Sequence, residues 1–206
     1  MKHLYDFYRY VRPKNYIDGW HLEQLCWTVE RCLVERKNGI IETPPRHSKS
    51  EVINLYAPAW WFLTNPAAHF GLVCNSDSLA RKFSTACRAL ILSEKYQELA
   101  PYRLSDDRGN QWKIDTPEQT LDFSYLATGI NGQLTGFGFD VLLLDDLLKS
   151  GREAKSDTVR EGVWDSVASA AINRLSPSGI VIACQARLHH DDTLGKLLAT
   201  EEGVAE

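Results

Sequence analysis

The spacing of apolar residues changes along the chain and predicts alternating helices and strands. Residues 19–37 carry Leu22, Leu25, Cys26, Val29 and Leu33 at three-and-four spacing, the pattern of an amphipathic helix. Asp18 suits its N-cap and Gly39 its stop. A short strand, 39–43, runs into Pro44 and Pro45, and a helix is predicted over 49–63. The apolar run 68–75 ends in turn residues and reads as a buried strand, followed by a helix over 78–93 capped by Asp77. Two short strands are predicted near 111–115 and 121–127, and the four glycines of 129–138 predict a loop. Residues 139–145 form an apolar strand ending in Asp145 and Asp146. A helix over 153–175, a turn at Pro177 and Gly179, a strand over 180–186, and a last helix begun by Asp191 or Asp192 complete the reading. Near-continuous apolar strands alternating with helices predict an α/β fold with a mainly parallel central sheet.

Composition narrows the class. The 206 residues are 44% hydrophobic, 10% aromatic and 24% charged, which excludes a disordered or fibrous chain. No apolar run is long enough to span a membrane, and the first residues lack the apolar core of a secretory signal. A net charge of −4 argues against a passive nucleic-acid coat, yet leaves room for a local basic patch. Five widely spaced cysteines with no CxxC read as reduced thiols in the protein core.

Three segments carry candidate chemistry. Thr43-Pro44-Pro45-Arg46-His47-Ser48-Lys49-Ser50 lies between a predicted strand and helix, where a phosphate-binding loop belongs. Thr43 and Ser48 stand at its two glycine positions. Lys49 would reach the β- and γ-phosphates of ATP and Ser50 would ligate Mg²⁺. Alone, a Lys-Ser pair at a helix start is more often a solvated surface. The second segment, Phe139 to Asp146, has the form of a Walker B strand. There Asp145 would hold Mg²⁺, mostly through water, and Asp146 would orient or deprotonate the attacking water. The third, Ile180 to Asp192, makes Gln185 a γ-phosphate sensor and Arg187 a second cation near the phosphates. His189, His190, Asp191 and Asp192 could form a metal cluster, but adjacent histidines on a strand end point apart, which favours a capping role.

Together these segments resemble the ATPase domain of the terminase large subunit of tailed bacteriophages, a P-loop NTPase of the ASCE type. Pro44-Pro45-Arg46-His47-Ser48-Lys49-Ser50 matches the family's arginine-bearing P-loop. Residues 132–146 are similar to its glycine-rich segment and Walker B, and 153–156 and 187–192 to later signatures. The resemblance implies an ATP hydrolase that drives double-stranded DNA into a procapsid in the host cytoplasm; the alternatives are a non-hydrolysing terminase fragment or assembly module, or another P-loop DNA translocase or helicase. It implies ring assembly on a portal protein and work with a small terminase subunit, without a membrane. Residues 1–38 would be a helical segment with adenine-side contacts from His21 and Gln24, and 39–206 the ATPase core. Catalysis would fall to Asp146, Arg46 and Lys49. Some relatives carry a trans-acting arginine where Thr135 stands here, and Ser48 replaces the usual loop glycine. The nuclease that follows the ATPase in this family is not expected from these residues.

Overall fold

A computed structural model describes residues 1–13, 18–105, 108–117, 123–132, 134 and 136–202. The expected features at Leu121, Asp122, Gln133 and Thr135 lie outside the described residues. Seven strands form one sheet: β1 (Gly39–Glu42), β2 (Phe70–Cys74), β3 (Leu104–Ser105), β4 (Gln111–Ile114), β5 (Tyr125–Gly129), β6 (Phe139–Asp145) and β7 (Leu175–Gln185). Their order is β1-β7-β6-β2-β5-β4-β3. The first five positions pair in parallel, and β4 and β3 close the far edge antiparallel. β7 thus separates β1, which leads into the candidate loop, from β6. This is a mixed α/β architecture with a mainly parallel central sheet.

The N-terminal segment folds as α1 (Leu4–Val11) and α2 (Trp20–Glu35). The five predicted apolar positions of α2 are all buried. Its ends differ from expectation. Gly19 is the N-cap, while the Asp18 carboxylate accepts from Tyr5, Arg12 and the Gly19 N–H. The helix stops at Arg36, in the left-handed region at φ 55°, with its N–H donating to Cys32 O. Gly39 instead permits a close approach, since a Cβ there would lie 2.6 Å from Cys32 Sγ.

The helix after the loop is α3 (Lys49–Glu51), a π-turn (Val52–Tyr56) and α4 (Ala57–Phe62) in succession. α5 (Asp77–Ile91) is capped by Ser76, which accepts from Leu79 N–H. Asp77, expected as the cap, instead accepts the Gly129 N–H at 2.6 Å, tying α5 to the end of β5. α6 (Glu94–Gln97) follows. The predicted helix 153–175 is broken. Ser150 caps α7 (Gly151–Ala154), and Ser156 restarts the chain as α8 (Asp157–Asp165), so side-chain acceptors compete with helix continuity. π and 3₁₀ turns follow, and β7 begins at Leu175, before the expected turn. Pro177 and Gly179 lie in a bulge where pairing jumps from Phe139↔Leu175 to Val141↔Ile180, held by Ser176 Oγ donating to Asp140. Asp192 opens α9 (Thr193–Glu202), accepting the Gly195 N–H at 3.1 Å.

Two cores flank the sheet. On one face α1, α2, the 49–62 helix and α5 bury Phe7, Leu33, Phe62 and Cys87 against Leu72, Leu143 and Ile182. On the other, Val167 and Leu194 cover Leu142, Leu144 and Ala183. All five cysteines are buried thiols. No helix among the described residues is long and apolar enough to cross a membrane.

Leu143, 1% exposed, sits between Leu72 and Ile182 in the strand that delivers the aspartate pair. Leu143→Ala should cost about 2–5 kcal/mol, transfer loss plus the residual cavity. Urea unfolding checks this as a lower midpoint with an unchanged slope.

Candidate nucleotide-binding site

The loop between β1 and α3 bends without glycine. Arg46 and Ser48 both take the left-handed region, at φ 66° and 56°. Non-glycine residues there carry strain of order 1 kcal/mol, so neighbours must hold the loop. His47 does so: its Nδ1–H donates to Pro44 O at 3.2 Å and Pro45 O at 2.9 Å. Since carbonyls only accept, Nδ1 carries the hydrogen. Pro44 and Pro45 have no N–H, so the loop's backbone donors begin at Arg46 and continue through Ser50.

The loop meets the end of β6 through three side chains. Lys49, 5% exposed, donates from Nζ to Asp146 Oδ2 at 2.7 Å. Burial is the largest single influence and would depress its pKa, but the bond to Asp146 and the nearby negative charge of the aspartate pair together outweigh it, and the net shift is upward. Ser50 Oγ donates to Asp145 Oδ1 at 3.0 Å. Asn54 Nδ2 donates to Asp145 Oδ2 at 2.6 Å. Asp145 is 1% exposed, and burial followed by repulsion from Asp146 raises its pKa to about 6, against the pull of Lys49, Ser50 and Asn54. In register with it on the flanking strands lie Cys74 and Cys184, whose thiols burial pushes well up, so they stay neutral.

Asp146 is held at φ 43° just past the strand. Its N–H donates to Cys184 O, its carbonyl accepts from Asn75 Nδ2 at 2.8 Å, and Oδ1 accepts the Ala186 N–H at 3.3 Å. β2, β6 and β7 thus aim this carboxylate at Lys49.

Two cavities open on either side of the loop. One, about 430 Å³, is lined by Arg46, Ser48, Lys49, Ser50 and Asp146, with Lys82 and Phe83 of α5 opposite. The other, about 480 Å³, is lined by Thr43, Pro44 and His47 together with Trp20, His21 and Gln24 of α2. His21 and His47 meet edge to face at 5.4 Å, and Trp20 is 79% exposed at the rim. Thr43 Oγ1, Asn54 Oδ1 and Gln185 Nε2 are buried without hydrogen-bond partners. Orphaned polar atoms of this kind cost about 1–3 kcal/mol each and call for a partner, which a ligand at this site would supply.

The structure therefore gathers the loop residues with Asp145 and Asp146, and sets His21 and Gln24 beside the loop. Gln185 lies at the end of β7, in register with Glu42. Arg187 lines neither cavity. Its guanidinium pairs with Glu42 and donates to the carbonyls of His189 and His190, which holds the chain after β7 on β1. Asn54, Asn75 and Lys82 were missed. For Asn54 a signal existed: it stands four residues after Ser50 and hence on the same helix face.

The chain matches no protein-family profile and no curated protein sequence. Its structure is similar to the large terminase of bacteriophage HK97, with TM-score 0.65 and 13% identity. The match covers 100% of this chain and 42% of that one. It is also similar to a mutant ATPase domain of a Thermus phage large terminase, with TM-score 0.50 and 12% identity over 88% of this chain and 69% of that one. The chain thus spans less than half the length of the HK97 protein. At these identities the likeness is one of fold: the described residues adopt the fold of the terminase ATPase domain.

The folded chain holds the Asp145 proton more tightly than the unfolded chain, since its pKa rises from 3.8 to about 6. The stability this confers is complete below about pH 4 and is lost as pH rises through about 6, a total of about 3 kcal/mol. Asp145→Asn cannot ionise. Without divalent cations, its stability relative to the parent should therefore increase by up to about 3 kcal/mol between about pH 4 and 8. Urea midpoints at the two ends check this, and a constant difference would mean that Asp145 does not titrate there.

Proposed function

We propose that this chain is the ATPase motor domain of a viral terminase large subunit, hydrolysing ATP to drive packaging of double-stranded DNA. The observation that carries the reading is the meeting of Lys49 and Ser50 with Asp145 and Asp146 at the carboxyl end of the sheet, across about a hundred residues of sequence. A helix-start lysine and hydroxyl facing a strand-end carboxylate pair is what metal-bound triphosphate chemistry requires.

In this reading the N–H groups of residues 46–50 and the Lys49 ammonium hold the phosphates. Ser50 and Asp145 offer only oxygen ligands, which suits Mg²⁺. Bound there, Mg²⁺ would supply positive charge against the phosphate oxygens. His21 and Gln24 take the base on the α2 side. Lys49 is latched to Asp146 in the structure, so phosphate oxygens must draw it away. Asp146 Oδ2 is then free to orient water and accept its proton. Gln185 offers its unpartnered amide N–H as the sensor. Arg46 can act only in cis. Arg187 would have to leave Glu42 to reach the phosphates, so its part in this reading is to hold the loop around the site. The 1–38 segment serves the base side of a core formed by residues 39–206. The chain's partners are DNA, a portal protein and a small terminase subunit, in a ring on the portal in the host cytoplasm.

Lys49→Ala should weaken MgATP binding about ten- to a hundredfold, the worth of a charge-assisted contact, without changing the fold. Titration with a fluorescent ATP analogue measures it, and unchanged affinity would remove the reading. Asp146→Asn should keep ATP affinity, because Lys49 is released, and lose turnover by about 10²–10⁴. Phosphate release with DNA and portal present measures that. A parent protein that binds ATP but never turns it over under those conditions would instead be a non-hydrolysing assembly module.

A further inference from the structure

We propose that Lys82 of α5 is a further phosphate-binding cation of this site, placed to meet the terminal phosphate of a bound nucleoside triphosphate; the inference rests on the nucleotide reading above. Three observations carry it. First, Lys82 lines the same 430 Å³ cavity as Arg46, Lys49, Ser50, Glu51 and Asp146. The adjacent Arg81 turns elsewhere: a Cβ on Gly109 would lie 3.9 Å from its Cδ.

Second, the charge of Lys82 is uncommitted. It has no carboxylate partner among the described residues, and its Nζ lies 6.0 Å from the centroid of the Phe83 ring. Lys49, by contrast, is committed to Asp146. Lys82 has a flexible stem and a compact ammonium, which suits a phosphate oxygen that arrives with the ligand. Phe83, Ala86 and Leu55 give the cavity an apolar wall, which strengthens any ion contact made against it.

Third, the strand order assigns an end of the triphosphate. The base-side cavity abuts α2 and β1, at one edge of the sheet. α5 starts where β2 ends, and β2 pairs directly with β6 on the side away from β7 and β1. A nucleotide with its base against α2 therefore runs its phosphates toward β6 and β2, and Lys82 stands at the far end. ADP would not reach it.

The test compares MgATP and MgADP affinities of the parent, Lys82→Gln and Lys82→Arg by competition against a fluorescent nucleotide, with unfolding midpoints to establish that each variant is folded. Lys82→Gln should lose about tenfold in ATP affinity, with ADP affinity unchanged and Lys82→Arg retaining most of the ATP preference. Equal ATP affinities of parent and Lys82→Gln would overturn the assignment, as would equal losses for ATP and ADP. A parent that binds neither nucleotide would overturn the nucleotide reading and this inference together. A parent that binds both, with binding sensitive to Lys49→Ala but not to Lys82→Gln, would overturn this inference alone.

Discussion

Two carboxylates side by side at the end of a buried strand repel each other, the inner one also loses its hydration, and the rest of the site is organised around that cost. Asp145 is nearly inaccessible, and its neighbour Asp146 follows at once. Charge there is tolerable only with donors in place. Lys49, Ser50 and Asn54 supply them from one helix, reaching across from the loop side of the sheet. The loop of residues 43–50 with the helix after it and the end of β6 are thus bound to each other electrostatically. The rise in the Asp145 pKa to about 6 shows that the donors do not fully offset burial and repulsion. A divalent cation would complete what they leave unfinished.

The same arrangement stores strain. Ser48, Arg46 and Asp146 all sit in the left-handed region without being glycine. Each is fixed by neighbours: His47 ties the two prolyl carbonyls, and Asn75, Cys184 and Ala186 hold the backbone and carboxylate of Asp146. Such conformations persist only where surroundings over-determine them. Here the surroundings are the ends of β2, β6 and β7, and the two core layers keep those ends in register. Packing of Leu72, Leu143 and Ile182 is therefore also a condition on the geometry of the site.

The expectation for Arg187 shows how position in sequence and position in space part company. A cation two residues past a sensor strand looks well placed for phosphate. Yet β7 pairs with β1 so that Gln185 faces Glu42, and the Glu42 carboxylate then lies within reach of Arg187. The pair fixes the loop after β7 instead. Conversely, Lys82 carries no motif and reaches the cavity only because α5 packs beside the β1–α3 loop.

The sequence alone determined the alternating strands and helices, the parallel sheet, the strand–loop–helix around Lys49 and Ser50, and the apolar strand ending in Asp145 and Asp146. These features are local: a period of apolar residues, a pair of prolines or a helix-start lysine states its geometry within a few positions. Tertiary structure decided what depends on which elements become neighbours. It broke the 151–174 segment at Ser156, moved the caps from Asp18 and Asp77 to Gly19 and Ser76, and brought Asn54, Asn75 and Lys82 to the site. A side chain's partner across the sheet is set by strand order and register, and these minimise the free energy of the whole core, which no short window of sequence contains.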